Sequence, residues 1–393
     1  MAIVNHFKRT ADALAPTTKY PGSKAFLPSN LWAWIFSYLK YAFQRKFPFP
    51  TYANSAKNGI YPIKPVAGKD AIRIAIAGDW ANGTDESYLI AGLMENTKPD
   101  FTIHLGDVYY VGDADELAQT CFGKSMHGYD GVTWPHGTQG SFGLNGNHEM
   151  YANGKPYFQT FLKTLGVKGD NEGQVASFFC LETDAWRILA IDTGYNSIGI
   201  PILNMIPWIN QIPWIGGDCH LEKQLIEWLR SVVKLKEHPK PTVVLSHHQY
   251  FSAFPDQNYP KPAKQLAEFF QTQEFIWLWG HEHRLGIYDK HTTTEGITFY
   301  PRCIGHGGMP VELAKPNRSK APLRLYDKER SHKLDDGTDV GENGLVNLTI
   351  QGDVLTLDYR DINNTSLLVE RFTPGANGAL TYTFDDPGIL KAP

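Results

Sequence analysis

The sequence predicts an α/β fold in which mixed β-sheets are flanked by helices, and three observations carry that prediction. From residue 71 short apolar strands alternate with amphipathic helices, a pattern that favours parallel pairing. Beyond Ile297 the chain is mostly β, with GITFYPRCIG, GLVNLTI, DVLTLDYR and SLLVERF, which favours antiparallel pairing. Strands of the alternating part also run out into residues able to hold a metal ion.

In chain order, residues 1–68 read as an N-terminal extension, and residues 69–393 as the main domain. Leu31 to Phe47 has helical length and ends against prolines, which cannot continue a helix. Its apolar residues occupy most of the circumference, with Lys40, Arg45 and Lys46 near the end. It is expected either to pack on the main domain or to lie in a membrane surface. AIRIAIAGD is then a buried strand, SYLIAGLMENT a helix, and FTIHLGD the next strand. PYFQTFLKTLG is a helix, and SFFCLE with WRILAIDTG form a hairpin around Thr183-Asp184. In HLEKQLIEWLRSVVKLK the apolar positions Leu221, Leu225, Trp228, Leu229 and Val232 mark one helix face. PTVVLSH is a strand, PAKQLAEFFQT a helix and FIWLWG a strand. Residues 198–216 are apolar but broken by prolines, so neither helix nor plain strand is expected. Residues 312–342 are polar and read as a long surface loop.

Composition narrows the function classes. The chain has 393 residues, 42% hydrophobic and 20% charged, with a net charge of −4. Lys and Arg are scattered, which argues against a nucleic-acid partner, because phosphate-backbone affinity needs concentrated positive charge. Cys121, Cys180, Cys219 and Cys303 lack CxxC spacing and read as separate thiols. The N-terminus lacks the apolar core of a secretory signal, and no uninterrupted apolar run is long enough to span a bilayer. A cytoplasmic location is expected, with peripheral membrane contact through 31–47 and 198–216 as an extension of it.

The chemistry is written at the strand ends. One strand runs into Gly78-Asp79 and the next into Gly106-Asp107. A glycine-rich loop delivers Asn147 and His148, a third strand delivers His247-His248, and a fourth delivers Gly280-His281-Glu282-His283. Alone, each reads as readily as a turn residue or a packed histidine. Carboxyl ends of strands in an α/β sheet share one edge, where ligands bind, so five loops would bring these groups together. Two metal ions would clamp a phosphoryl group and lower the pKa of a shared water, and Asp107, with two free oxygens, suits a bridge between them. Imidazole with carboxylate suits Fe, Zn or Mn better than Mg.

These residues resemble the calcineurin-like metallophosphoesterase superfamily and, within it, the purple acid phosphatase branch. The motifs are Gly78-Asp79, Gly106-Asp107, Gly146-Asn147-His148-Glu149, His247 and Gly280-His281-Glu282-His283, spread over roughly residues 70–310. The resemblance implies a sandwich of two mixed β-sheets flanked by helices. It also implies a dinuclear phosphoesterase in which metal-bound hydroxide attacks a phosphate ester. Most superfamily members carry a histidine two residues after the first aspartate, and here that place is Ala81. Purple acid phosphatases also lack it and use the tyrosine of GDxxY, which counts to Tyr110. Strand alternation would then send Tyr109 into packing. The implied first metal is held by Asp79, Asp107, Tyr110 and His283, and the second by Asp107, Asn147, His247 and His281. A phenolate implies Fe(III) paired with divalent Fe, Zn or Mn. His148 would face the phosphoryl group and protonate the leaving oxygen. His248 would touch substrate or only orient His247, and His306 would approach substrate or sit as a satisfied loop residue. SAFPDQNY offers no further substrate histidine of the kind the branch carries, so a monoester preference is not implied. Two rival readings are a catalytically silent binding scaffold and a membrane-surface hydrolase of a lipid phosphate.

Overall fold

The computed structural model describes residues 31–126, 129–199, 217–333 and 337–393, with side chains from residue 37 onward. Among these the strands form a nine-stranded sheet, an eight-stranded sheet and a small two-stranded ribbon. The first sheet runs Ile60–Pro62, Phe179–Glu182, Arg187–Ala190, Thr242–Ser246, Glu274–Trp279, Thr298–Ile304, Leu285–Tyr288, Leu323–Tyr326, with His291–Thr292 paired beside Thr298–Ile304. The second runs Leu380–Asp385, Ser366–Pro374, Val354–Asp361, Gly344–Gln351, Ile72–Ala77, Phe101–His104, Gly140–Gly143, Gly166–Val167. Pairing follows the expected division except at Thr298–Ile304, which was expected to pair antiparallel but lies parallel to Glu274–Trp279 on one side and antiparallel to Leu285–Tyr288 on the other. Ile72–Ala77, Phe101–His104 and Gly140–Gly143 lie parallel, as do Arg187–Ala190, Thr242–Ser246 and Glu274–Trp279, while the tail strands from Gly344 to Asp385 are antiparallel. The expected sandwich of two mixed sheets flanked by helices is the architecture observed.

Side-chain alternation shows which faces meet. Ile72, Ile74 and Ile76 share one buried cluster with Ile188, Val243, Leu245, Ile276 and Leu278 of the other sheet. The intervening Ala75 and Ala77 instead pack under the helix Asp85–Thr97, with Leu89, Ile90 and Met94. Leu189, Val244, Trp277 and Trp279 pack on the outer side against the helix Lys223–Ser231, through Leu225, Trp228 and Leu229. Strands buried on both faces read as continuous apolar runs, which is why these were recognisable.

Some expectations need adjustment. The segment 312–342 is not one loop: it carries the short strands Leu323–Tyr326, Ser331–Lys333 and Asp339–Gly341. PYFQTFLKTLG is helical but irregular, with the wide π-helical turn Tyr157–Phe161 ahead of Leu162–Thr164. The predicted N-terminal helix is present as Leu31–Ala42. Of it, Tyr38, Tyr41 and Ala42 pack against Val111 and Ala152, while Leu39, and Phe43 just past its end, stay exposed. Residues 200–216, on which part of the membrane expectation fell, lie outside the described residues. Among the described residues no helix is long and apolar enough to cross a membrane. The four cysteines are unpaired and buried.

Candidate metal centre

Three of the strand-end residues share one backbone device. Asp79, Asp107 and His281 each follow a glycine and adopt left-handed conformations, with φ of 58°, 72° and 66°. For a residue with a Cβ this costs about 1–2 kcal/mol, so surrounding contacts must hold it. In each the backbone N–H is engaged. Asp79 donates to the Gly106 carbonyl at 3.3 Å, Asp107 to Glu149 Oε2 at 3.2 Å, and His281 to Asp79 Oδ2 at 2.8 Å. The turns therefore fasten one another, and each throws its side chain back over the strand ends. Close approach is possible because the flanking positions lack a Cβ. One built on Gly146 would lie 2.1 Å from Asp107 Oδ1, and one on Gly280 would lie 2.6 Å from Asp79 Oδ2.

Asp107 sits at the middle. Its Oδ1 faces His247 Nε2 at 3.3 Å, and that same Nε2 lies 3.1 Å from Asn147 Oδ1. Its Oδ2 lies 3.1 Å from the Tyr109 hydroxyl and 3.8 Å from His148 Nε2. The Tyr109 hydroxyl is also 2.9 Å from Asp79 Oδ1 and 3.0 Å from His283 Nε2. The two oxygens of one carboxylate thus address two different groups of donors. Asp79, Asp107 and His247 offer ligand atoms that all lie within 4.8 Å of one another, and so do His247, His248 and His281.

The tyrosine assignment is corrected. Tyr109, expected in packing, is the buried residue whose phenol enters the cluster, while the ring of Tyr110, expected as a ligand, packs on the clusters of Tyr38, Tyr41 and Val111 and of Tyr109 and Met309. The Tyr110 carbonyl accepts from His148 Nδ1 at 2.6 Å. The reason is local. Asp107 is left-handed, and Val108 forms a parallel bridge to Ala81, so strand alternation counted from Phe101–His104 no longer applies. The Tyr109 N–H donates to the Ala81 carbonyl at 3.0 Å. The phenol therefore springs from the residue anchored beside the place where the superfamily histidine is missing.

The other expected residues divide. His148 is half-buried, and with Nδ1 bonded to the Tyr110 carbonyl it presents Nε2 toward Asp107. His247 Nδ1 bonds the Leu105 carbonyl at 2.9 Å, which likewise leaves Nε2 inward. His248 lies against His281, with ring centres 4.5 Å apart, and is held by the Thr193 hydroxyl at 3.1 Å from Nδ1. His306 is not brought to the cluster. Its buried imidazole lies against Gly344, where an added Cβ would stand 2.7 Å from Nε2.

Sequence reasoning assigned no role to several supporting groups. Glu149, the acid of GNHE, is buried and accepts from both Asp107 N and Gly146 N, at 3.2 and 3.0 Å. The signal was available, since glutamate three residues after the first residue of a helix start is the capping-box spacing. Glu116 accepts from the backbone N–H groups of Tyr110, Val111 and Asp113 and so fixes the loop behind Tyr109. Here too a local signal was available, since Asp113 and Glu116 form a capping box at the start of the helix Ala114–Thr120.

The donor set fits a pair of metal ions. Burial pushes the Asp79 carboxyl up. Burial would push Asp107 up as well, but the facing His247 outweighs it and holds Asp107 well below the usual carboxylate range. Burial alone would lower His247, but Asp107 raises it instead. Two buried carboxylates thus compete for positive charge, which a cation between them would supply. His281 and His283 are lowered by burial, to about 3 and about 4, and stay neutral, the form in which imidazole binds metal. Burial first, and then both aspartates, raise the Tyr109 phenol, so forming a phenolate there requires a strongly charged ion.

A family model described as calcineurin-like phosphoesterase matches residues 72–285, more than half of the chain. No curated protein is matched. Among solved structures, the chain is similar to PhoD at 12% identity, covering 83% of this chain and 74% of that one, with a TM-score of 0.47. It is similar to the GAP50 anchor of the inner membrane complex of Plasmodium at 10% identity, covering 79% and 91%, with a TM-score of 0.44. It is also similar to a dimetal phosphatase from Danio rerio at 13% identity, covering 74% and 96%, with a TM-score of 0.43. On the extent of the family match and the motifs inside it, the chain belongs to the calcineurin-like phosphoesterase family.

Proposed function

We propose that this protein is a dinuclear metal-dependent hydrolase of phosphate esters, related in its metal chemistry to purple acid phosphatases. The observation that carries the reading is the split of Asp107, with one oxygen toward His247 and Asn147 and the other toward Tyr109. Asp79, Asp107, Tyr109 and His283 would hold one metal, and Asp107, Asn147, His247 and His281 the other. Support for the purple acid phosphatase likeness is the Tyr109 phenol beside Ala81, a hard anionic donor that suits Fe(III) with divalent Fe, Zn or Mn as its partner. When bound, such a pair supplies an activated water and neutralises phosphoryl charge.

The chain's own residues do the rest. Asn147 and His247 orient one face of the cluster, and Asp79 and Tyr109 the other. His148 has Nδ1 fixed and Nε2 directed inward, so it is placed to stabilise charge on a bound phosphoryl group and to pass a proton to the leaving oxygen. His248 abuts His281 and is placed to orient it or to touch substrate. A silent scaffold is disfavoured because each proposed ligand position holds a donor.

The test is metal analysis and a visible spectrum on the purified protein, together with hydrolysis of p-nitrophenyl phosphate and its bis-ester. Two metals per chain, and activity lost to a chelator and restored by Fe, Zn or Mn, are expected. Protein that takes up no metal and cleaves neither ester would overturn the reading.

A further inference from the structure

A cavity of about 300 Å³ opens between the N-terminal helix Leu31–Ala42 and the short helix Asn147–Tyr151. Tyr38, Phe43, Lys46, Met150, Tyr151 and Ile198 form much of its wall, and no described carboxylate lines it. One wall is shared with the metal centre. The Tyr151 ring stands edge-on to His148, with centres 5.2 Å apart, and meets Tyr38 at 5.6 Å. The step outward from His148 is therefore Tyr151, then this space. Phe43 lies at its edge and is 83% exposed, although the helix that ends just before it packs through Tyr38, Tyr41 and Ala42. Lys46 is committed to its surroundings, with its ammonium 3.5 Å from the centre of the Tyr195 ring and 3.4 Å from Asn196 Oδ1.

The reaction proposed above places the leaving group here. Water adds to phosphorus, the ester P–O bond breaks, and the proton given up by water reaches the leaving oxygen by way of His148, giving an alcohol and phosphate. The departing alcohol is then on the His148 side, where the Tyr151 ring that abuts His148 also lines this cavity. We propose that the cavity is the leaving-group subsite and takes an aromatic or bulky apolar alcohol, so that the N-terminal helix is a specificity element. This rests on the phosphoesterase reading. The volume lies at the lower end of the range for small-molecule pockets, and the aromatic lining suits a flat ring better than a polyol.

The test compares 1-naphthyl phosphate with glycerol phosphate on the metal-loaded full chain and on two variants. Ala42→Phe fills the cavity, and Phe43→Ala removes its exposed edge without disturbing a buried group. The ratio of kcat/KM for naphthyl over glycerol phosphate should fall roughly tenfold in Ala42→Phe and severalfold in Phe43→Ala, mainly through KM for the naphthyl ester. Ratios within twofold of wild type in both variants would overturn the subsite while leaving the phosphoesterase reading intact. If Ala42→Phe does not fold, Phe43→Ala decides. Absence of turnover of either ester by the metal-loaded wild type would overturn the phosphoesterase reading, and the subsite with it.

Discussion

Tyr109 and Tyr110 stand side by side and do different work. The Tyr109 phenol reaches Asp79, Asp107 and His283, whereas Tyr110 contributes its carbonyl to His148 and its ring to the helix-side packing. If the phenolate colours the oxidised protein, Tyr109→Phe should abolish the visible charge-transfer band, and Tyr110→Phe should leave it in place. A band that survives Tyr109→Phe would mean that no Tyr109–Fe(III) bond forms. Asp107→Asn keeps the shape but loses one anionic oxygen. Activity is expected to fall more than about 100-fold, with fewer than two metals retained by elemental analysis. A fully metallated, active variant would refute the bridging role.

At the scale of elements, the short helix Asn147–Tyr151 joins the metal centre to the proposed leaving-group cavity. Asn147 and His148 at its start serve the cluster, Glu149 ties it to the Asp107 turn, and Tyr151 walls the cavity. Glu149 touches no proposed metal position directly and acts through the backbone of Asp107. Glu149→Gln should therefore lower metal affinity by roughly 10–100-fold in chelator titrations, the scale expected when a ligand loses its orienting partner. An unchanged affinity would reduce Glu149 to a packing role. The N-terminal helix is joined to the same region by Ser37 donating to Asp113 and by Asn153 donating to the Tyr41 carbonyl at 2.7 Å.

At the scale of the whole molecule, a buried ion pair pins the two sheets together. Arg302 belongs to one sheet and Glu370 to the other; they meet through two hydrogen bonds of 2.7 and 2.6 Å. The hydroxyls of Tyr359 and Tyr382 donate to the same carboxylate, each at 2.7 Å. Removing one partner leaves the other charge buried, so Glu370→Gln should cost about 3–5 kcal/mol in urea unfolding. The double change to Met at both positions should cost less than the single one. His306 adds a pH dependence. Burial lowers its imidazole to about 4, below the ordinary 6.5, so the unfolded chain binds its proton first. This contribution to stability is complete above pH 6.5 and is lost as pH falls from 6.5 toward 4, for a total of ~3 kcal/mol. The stability difference between wild type and His306→Leu should shrink over that window. A difference that stays constant with pH would refute the buried, neutral assignment.

The apolar runs of Ile72–Ala77, Phe101–His104, Thr242–Ser246 and Glu274–Trp279 carry their strand character in the sequence, because burial on both faces leaves a local composition signal. Their polar exits, Asp79, Asp107, His247, His281 and His283, were legible for the same reason: a charged or imidazole group straight after such a run is conspicuous. Other features depended on contacts that no local pattern encodes. Counting GDxxY led to Tyr110, but the left-handed turn at Asp107 and the bond from Tyr109 to Ala81 send Tyr109 inward. His306 reads from the sequence as equally suited to substrate, but in the fold its buried imidazole lies against the backbone of Gly344. Sequence determined which donor types leave which strands, since that follows from composition along one segment. Only the tertiary structure decided which phenol faces the cluster, which acid supports the Asp107 turn and where a cavity adjoins the site, because each depends on how segments far apart in the chain are pressed together.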